Sequence, residues 1–259
     1  MLPRLSPRDS GNPLRFVVLP GLDGTGLLLQ AFAAELRALG PVEVRRYPTS
    51  GPQDYASLAA MMAPVGAGDV LVAESFGGPL AIALAARAAP RALVLCASFA
   101  SSPRPGLRPW TPLLRRLPLP PPRRFAAAAL FGRRGTPALS DALGCALAAV
   151  PMRILQARLS AALCADRGDE LQALRCPLLY LRASVDRLVP PTAAKTIARL
   201  RPDAVCIDIA APHGLLQVAV PTAVAAIARF LADAWSEPRK WRRSPRAATR
   251  NGVGMSCCE

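Results

Sequence analysis

Residues 70–80 read VLVAESFGGPL, and this stretch decides the fold. Its apolar first half predicts a buried strand, and the alanine-rich segment that begins at Gly77 and Gly78 predicts a helix. Ser75 stands at the corner between them. Residues 73–77, AESFG, fit the pattern G-x-S-x-G with alanine in the first position, which is typical of a strained turn that exposes a nucleophilic hydroxyl. The alternative interpretation of Ser75 is a helix N-cap.

Strand-like runs alternate with helical segments along most of the chain. Near-continuous apolar strands in such an alternation predict an α/β fold, with a mostly parallel sheet of about six strands and helices on both faces. The runs are LRFVVLP (14–20), VEVRRYP (42–48), DVLVAES (69–75), RALVLCAS (91–98), PLLYLRAS (177–184) and AVCIDIAA (204–211).

The alternation breaks between the fourth and fifth runs, where a long segment is proline- and arginine-rich and then helical. We expect residues 103–172 to form a helical lid, inserted into a core made of residues 14–102 and 173–235. Residues 1–13 and the basic tail, residues 236–259, are expected to be disordered because they are polar and lack periodicity.

Composition limits the classes of protein to consider. The 259 residues are 52% hydrophobic, which is enough for a large core. The net charge of +15 comes almost wholly from scattered arginines, so no specific nucleic-acid partner is expected. No apolar run has the length of a membrane span, since Arg87 and Arg91 interrupt the longest candidate. The first residues lack the apolar region of a secretory signal, and we expect a cytoplasmic protein.

Cysteine and histidine usage argues against a metal site. The chain has seven cysteines and one histidine. The two cysteines at the C-terminus, Cys257 and Cys258, match no ligand spacing, and we expect neither a metal nor a cofactor. The five others lie singly in apolar surroundings and are interpreted as buried free thiols; they are Cys96, Cys145, Cys164, Cys176 and Cys206.

Two further polar residues follow strands, as Ser75 does. Asp186 comes just after the fifth run, and His213 just after the sixth. The carboxyl ends of parallel strands meet at one edge of the sheet, so the three side chains are expected to converge. The order Ser, Asp, His along the chain is typical of α/β-hydrolases, with serine as nucleophile, histidine as base and aspartate as the group that orients it.

Asp186 and His213 each have a purely structural interpretation as well. Asp186 alone would read as a loop residue that caps the next helix, and His213 alone as a structural histidine. Five other acids fit the orienting role less well, because they precede a strand, lie within one or fall in the lid: Asp166, Asp169, Glu170, Asp203 and Asp208.

The first strand ends in LPGLDGTG, residues 19–26, a glycine-rich turn that leads into a helix. We expect the backbone N–H groups of Leu22 and Phe76 to form an oxyanion hole. The rival interpretation, a phosphate-binding loop, is excluded by spacing. The glycines are not in G-x-G-x-x-G order, and Leu27 and Leu28 stand where a P-loop has Lys and Ser or Thr.

With LPGLDGTG, AESFGG, the Asp186 loop and PHGLLQ in this order, residues 14–234 resemble lid-bearing esterases of the α/β-hydrolase fold. The LPGLDGTG and AESFGG motifs are most similar to those of small bacterial hydrolases and of the hydrolase-like domain of phytyl ester synthases. Two features depart from the family pattern. Pro20-Gly21 replaces a frequent His-Gly, and the family's first two strands are absent, which implies six strands instead of eight.

The residues and the resemblance together predict a serine hydrolase that acts on a small-molecule carboxylic ester or thioester. Two alternatives stay open. An acyltransferase would use the same acyl-enzyme with an alcohol as acceptor. A non-catalytic α/β-hydrolase-like binding protein would be indicated by an incomplete triad, and no triad position is missing here.

Overall fold

The computed structural model describes residues 14–114 and 123–236. The expected disorder of residues 1–13 and 236–259 concerns residues outside this part of the chain, apart from Ser236. Six strands form where the sequence predicted them: β1 (Arg15–Leu19), β2 (Val42–Val44), β3 (Asp69–Glu74), β4 (Ala92–Cys96), β5 (Leu178–Ala183) and β6 (Val205–Ile209).

The strands form one sheet in the order β2-β1-β3-β4-β5-β6, and every neighbouring pair is parallel. The predicted parallel sheet of six strands is therefore confirmed. The chain moves from β1 to one side and then returns to place β3 on the other side of β1. Open α/β sheets bind their ligands at such a switch point, outside the carboxyl ends of the strands.

Helices cover both faces of the sheet, and others form the long connection between β4 and β5. They are α1 (Gln30–Leu36), α2 (Tyr55–Met61), α3 (Gly77–Ala88), α4 (Thr111–Leu114), α5 (Arg123–Phe131), α6 (Pro137–Ala148), α7 (Met152–Leu163), α8 (Gly168–Ala173), α9 (Pro191–Leu200), α10 (Leu215–Val218) and α11 (Val220–Ser236). In the part of the chain that the structure describes, three short 3₁₀ helices accompany them: Leu27–Leu29, Pro105–Trp110 and Gly132–Arg134.

The sheet separates two apolar cores, and β1 shows how. Val17 and Leu19 face the core formed with α2, α3, α8 and α9, whereas Phe16 and Val18 face the core formed with α1, α10 and α11. Successive side chains of a strand point to opposite faces, so an unbroken apolar run is what a sheet covered on both sides requires.

The long connection leaves and rejoins the core at one place. The Ser102 N–H donates to the Ala165 carbonyl at 2.7 Å, and the Arg167 N–H donates to the Ala100 carbonyl at 2.9 Å. Residues 103–164, which we call the insertion, therefore begin and end side by side. The expected lid boundary at residue 172 falls inside α8, which contacts the core helices α3 and α9.

Within the described residues, no single helix has both the length and the apolar composition needed to cross a membrane. The bent pair α6 and α7, whose directions differ by 100°, meets both criteria only when the two helices are taken together.

The second strand is shorter than its apolar run, residues 42–48, suggested. The buried side chain of Arg45 turns inward and donates to the carbonyls of residues 63 and 64 at 2.6 and 3.1 Å. The chain then leaves the sheet and crosses to the loop after β1, where the Tyr47 N–H donates to the Gly24 carbonyl at 2.9 Å. Tyr47 thereby reaches the switch point.

The cysteine prediction was wrong for three of the five internal thiols. Cys96 and Cys176 are buried, but Cys145, Cys164 and Cys206 are exposed. Cys145 and Cys164 lie on the insertion. Cys206 lies on β6, an edge strand whose alternate residues face solvent. An apolar sequence context did not identify the side of the element on which each thiol lies.

Candidate active site

Ser75 occupies a strained corner at the end of β3. Its φ is +51°, a left-handed conformation that is uncommon for residues other than glycine. The surrounding backbone holds it there. The Ser75 N–H donates to the Cys96 carbonyl at 3.0 Å, and the Ser75 carbonyl accepts from the Gly78 N–H at 3.0 Å and from the Ser98 hydroxyl at 2.6 Å. A strained backbone conformation that is held by several surrounding hydrogen bonds is common where a turn presents a functional side chain.

The two glycines after the corner allow the close approach that this turn needs. A Cβ on Gly77 would lie 2.7 Å from the Pro20 carbonyl oxygen, and a Cβ on Gly78 would lie 1.8 Å from Oγ of Ser98. Ala73, the departure from G-x-S-x-G, is fully buried in β3. The small residues thus serve the packing of α3 against β1 and β4.

The structure brings the three expected catalytic side chains together. His213 Nε2 lies 2.8 Å from Ser75 Oγ, and His213 Nδ1 lies 2.8 Å from Asp186 Oδ2. The imidazole is 4% exposed and the Asp186 side chain 6% exposed, whereas Ser75 is half-buried. With a proton on Nδ1, the ring donates to the carboxylate and accepts from the hydroxyl.

Asp186 is fixed by its own loop. Its second oxygen, Oδ1, accepts from the backbone N–H groups of Leu188 at 2.8 Å and Val189 at 2.9 Å. One carboxylate therefore holds its own loop and binds His213 at the same time. The interpretation of Asp186 as a cap of the next helix was wrong, because α9 begins after Pro190 and has no side-chain cap.

Three of the five competing acids make ion pairs with arginines. Asp203 pairs with Arg201, Asp208 pairs with Arg182, and Glu170 pairs with Arg167. Asp186 accepts the hydrogen bond from His213 Nδ1.

Of the two expected oxyanion donors, Phe76 directly follows the serine and Leu22 lies in the loop after β1. A Cβ on Gly21 would be 3.9 Å from Cβ of Ser75, which places the loop after β1 against the corner. Phe76 directly precedes α3, and its buried ring packs against Tyr47 and Tyr55 with centroid distances of 5.9 and 4.9 Å. Neither amide donates a hydrogen bond to any residue that the structure describes.

The insertion contacts the loop that carries the histidine. The Gly214 N–H donates to the Leu130 carbonyl at 2.8 Å, and a Cβ on Gly214 would lie 2.8 Å from Cδ1 of Phe131. The ring of Phe131 is buried. The end of α5 therefore covers the backbone beside His213.

Sequence reasoning missed Glu74, which lies beside the site. Its carboxyl is buried and accepts a hydrogen bond from Gln217 Nε2 at 3.2 Å. Burial raises the pKa of Glu74 from 4.5 to about 7, the nearby His213 opposes that rise, and Asp23 and Asp186 add to it. The signal in the sequence was an acid directly after the apolar run of residues 70–73.

Glu74→Gln is expected to stabilise the protein at pH 8 and to have little effect near pH 4. Between about 4.5 and 7 the folded protein keeps a proton on Glu74 that the unfolded chain has lost, so the free energy of unfolding falls as pH rises through this range. Glutamine keeps the shape and avoids the buried charge. We expect a gain on the order of 2 kcal/mol at pH 8, measured by urea unfolding.

The exposed Glu35 on α1 supplies the matched control, because Glu35→Gln makes the same exchange of carboxyl for amide at the surface. An equal effect of Glu74→Gln at pH 4 and pH 8 would contradict the raised pKa.

The described residues contain no group of three or more His, Cys, Asp and Glu side chains placed to hold a metal ion. The polar groups at this edge of the sheet are instead arranged as a hydrogen-bonded chain with a half-buried hydroxyl at its end.

Comparisons with known proteins give structural likenesses at low sequence identity. No protein-family model and no curated protein sequence matches the chain. An enol-lactonase from Burkholderia xenovorans LB400 has a TM-score of 0.68 at 17% identity, over 86% of this chain and 92% of its own. A thermophilic esterase from Thermogutta terrifontis has a TM-score of 0.69 at 22% identity, over 90% and 92%. The esterase RhEst1 from Rhodococcus sp. ECU1013 has a TM-score of 0.66 at 20% identity, over 86% and 92%.

These likenesses extend over most of both chains in each pair, and they agree with the six-stranded parallel sheet and its helices. The chain therefore has the α/β-hydrolase fold.

Proposed function

We propose that this protein is a serine hydrolase that cleaves a carboxylic ester or thioester through an acyl-enzyme. The observation that carries the proposal is the continuous hydrogen-bond chain from Ser75 through His213 to Asp186. The fold alone would not suffice, because one fold serves many chemistries.

In the proposed acylation step, Ser75 Oγ attacks the carbonyl carbon of the substrate while His213 Nε2 takes the hydroxyl proton. Asp186 holds the ring with Nδ1 protonated and stabilises the imidazolium that forms. The tetrahedral intermediate then collapses, and the bond between the carbonyl carbon and the leaving oxygen or sulfur breaks. The leaving group accepts the proton from Nε2, and the acyl group stays on Ser75.

Deacylation repeats these steps with water. His213 takes a proton from the water as it attacks the acyl carbon, and returns that proton to Ser75 as the acid leaves. The N–H groups of Leu22 and Phe76 stabilise the oxyanion of both intermediates. Each such donor contributes about 100- to 1,000-fold to the rate.

The substrate class is inferred from the neighbours and from the insertion. Two of the structural neighbours are called esterases and one an enol-lactonase, which favours ester substrates. The insertion, rich in alanine and leucine, contacts the loop beside His213 and is proposed to act as a lid over an apolar acyl group.

The direct test is hydrolysis of p-nitrophenyl esters from acetate to palmitate, together with labelling by a fluorophosphonate. We expect turnover and a covalent adduct, located by peptide mass spectrometry on Ser75. The preferred chain length measures the acyl pocket. If the folded protein neither turns over any ester nor reacts with the fluorophosphonate, the proposal is wrong.

Labelling without hydrolysis would instead point to an acyltransferase. Addition of alcohols to the assay, with the ester product followed by mass spectrometry, distinguishes that activity from hydrolysis. An α/β-hydrolase-like binding protein would give neither product nor adduct.

Asp186→Asn should lower kcat by between about 100- and 10,000-fold, a smaller loss than removal of the serine or the histidine. An asparagine side chain has one acceptor oxygen and no charge. It cannot accept the hydrogen bond from His213 Nδ1 and those from the loop N–H groups as the two oxygens of Asp186 do. Asp208→Asn is the matched control, because Asp208 was a competing candidate and its contact is an ion pair with Arg182. Equal losses of kcat in the two variants would contradict the assignment of Asp186.

A further inference from the structure

Arg158 is a charged side chain, fully buried, that belongs to the insertion but binds the core. It lies on α7 and is 0% exposed. Its Nη1 donates to the carbonyl oxygens of Leu22 at 3.1 Å and Asp23 at 2.6 Å. Its Nη2 donates to the Pro48 carbonyl at 3.0 Å, and its Nε donates to Gln53 Oε1 at 2.9 Å.

The acceptors of these four hydrogen bonds are neutral oxygens, and a buried cation held by neutral oxygens alone is costly. Burial lowers the pKa of Arg158, while Tyr47 and Asp23 oppose that shift. The guanidinium carbon also lies 5.4 Å from the ring centroid of Tyr47, within the range of a cation–π contact. Methionine or leucine would fill the same volume at less cost, so the charge calls for an explanation beyond packing.

The loop that Arg158 binds is the one that holds Leu22, and its peptide groups are fixed on both sides of that residue. Before Leu22, the Tyr47 hydroxyl donates to the Pro20 carbonyl at 2.7 Å. After it, Arg158 holds the carbonyls of Leu22 and Asp23.

Gly24 allows the guanidinium to approach this closely. A Cβ on Gly24 would lie 2.6 Å from Nη1 of Arg158, and the glycine has a φ of +66°. The loop is therefore shaped around the arginine.

We propose that Arg158 is a positioning residue, which holds the loop of residues 20–24 so that the Leu22 N–H points at the oxyanion. The proposal rests on the proposed hydrolase function, since only that function gives Leu22 an oxyanion to bind. Nη1 donates to both successive carbonyls while Nη2 and Nε of the same rigid guanidinium hold Pro48 and Gln53. Donors spread over three nitrogens reach all four acceptors at once, which the compact ammonium of lysine cannot do. The insertion would then contribute to catalysis without touching the substrate.

The first test measures the loop itself and does not depend on activity. Hydrogen–deuterium exchange of a peptide spanning residues 21–26 should be about tenfold faster in Arg158→Lys than in the wild type. Arg201→Lys is the matched control. Arg201 is also buried and also binds backbone carbonyls, those of Leu171 and Cys176, on the α8 side of the fold. That control should destabilise the protein and leave exchange in the 21–26 peptide unchanged.

The second test separates positioning from general stability. With active sites counted by fluorophosphonate titration, Arg158→Lys should lower kcat by between about 10- and 100-fold and change KM by less than about threefold. Affinity for an alkyl boronic acid, which forms a tetrahedral adduct, should fall in parallel with kcat. Arg201→Lys should keep wild-type kcat per active site.

The outcomes separate the two proposals. If the wild type shows no turnover that depends on Ser75, the hydrolase is wrong, and the exchange experiment still tests the hold of Arg158 on the loop. If turnover depends on Ser75 but Arg158→Lys keeps both kcat and slow exchange, the positioning role is wrong. If Arg158→Lys and Arg158→Gln fail to fold where Arg201→Lys folds, Arg158 serves the fold alone and the proposal is overturned.

Discussion

Ser75→Ala is expected to abolish esterase turnover, with a loss of about a million-fold in kcat. The hydroxyl oxygen that lies 2.8 Å from His213 Nε2 is the proposed nucleophile, and alanine removes that atom alone. The fold should persist, because the corner is held by the backbone N–H and carbonyl of residue 75 and not by its side chain. Purified wild type and variant are compared on the best p-nitrophenyl ester, with circular dichroism and thermal unfolding to establish that both are folded.

A serine elsewhere provides the control for that experiment. Ser57→Ala removes a hydroxyl whose contact is Asp54, in the first turn of α2, and should leave kcat unchanged. Wild-type turnover in a folded Ser75→Ala protein would show that Ser75 is not the nucleophile. Residual turnover of a few thousandths of the wild-type rate would point instead to a contaminating esterase. Fluorophosphonate labelling of the sample, with the adduct located by mass spectrometry, identifies such a contaminant.

His213→Ala is expected to cost as much as Ser75→Ala, because the ring both takes the proton from the serine and delivers it to the leaving group. The double variant should be no slower than either single variant, since residues that act as one unit lose their contribution once. The measurement is a double-mutant cycle on kcat with one ester. If the two losses multiplied, the residues would be acting independently, and the shared proton transfer would be wrong.

The chain offers a second probe of the same residue. His213 is its one histidine, so diethyl pyrocarbonate can form only one carbethoxy-histidine, followed by its absorbance. The modification should remove turnover in step with the absorbance change. Full turnover after complete modification would exclude the histidine from catalysis.

Much of the fold could be predicted because parallel strands buried on both sides leave an unambiguous signal. β3 is apolar from Val70 to Ala73, and the glycines after Ser75 indicate a close approach. The convergence of Ser75, Asp186 and His213 could be predicted because each follows a strand, and parallel strands bring their ends together.

The remaining features depend on contacts between segments far apart in sequence. Arg158 is one arginine among many, and nothing local distinguishes it from exposed neighbours such as Arg153. Its role follows from four acceptors in the loop after β1 and the segment after β2. The early end of β2 has the same origin, since the inward turn of Arg45 depends on carbonyls of residues 63 and 64.

The paired ends of the insertion have a consequence for how proteins of this fold diversify. A segment that departs and returns through Ser102 and Ala165 can be exchanged for another of different length without shifting any strand. The sheet would keep its structure after such an exchange, but the loops after β1 and β6 would lose contacts with the insertion. A donor segment must also bring an arginine in the place of Arg158 and a carbonyl in the place of Leu130, so chimeras built on length alone should fold and yet be poor catalysts.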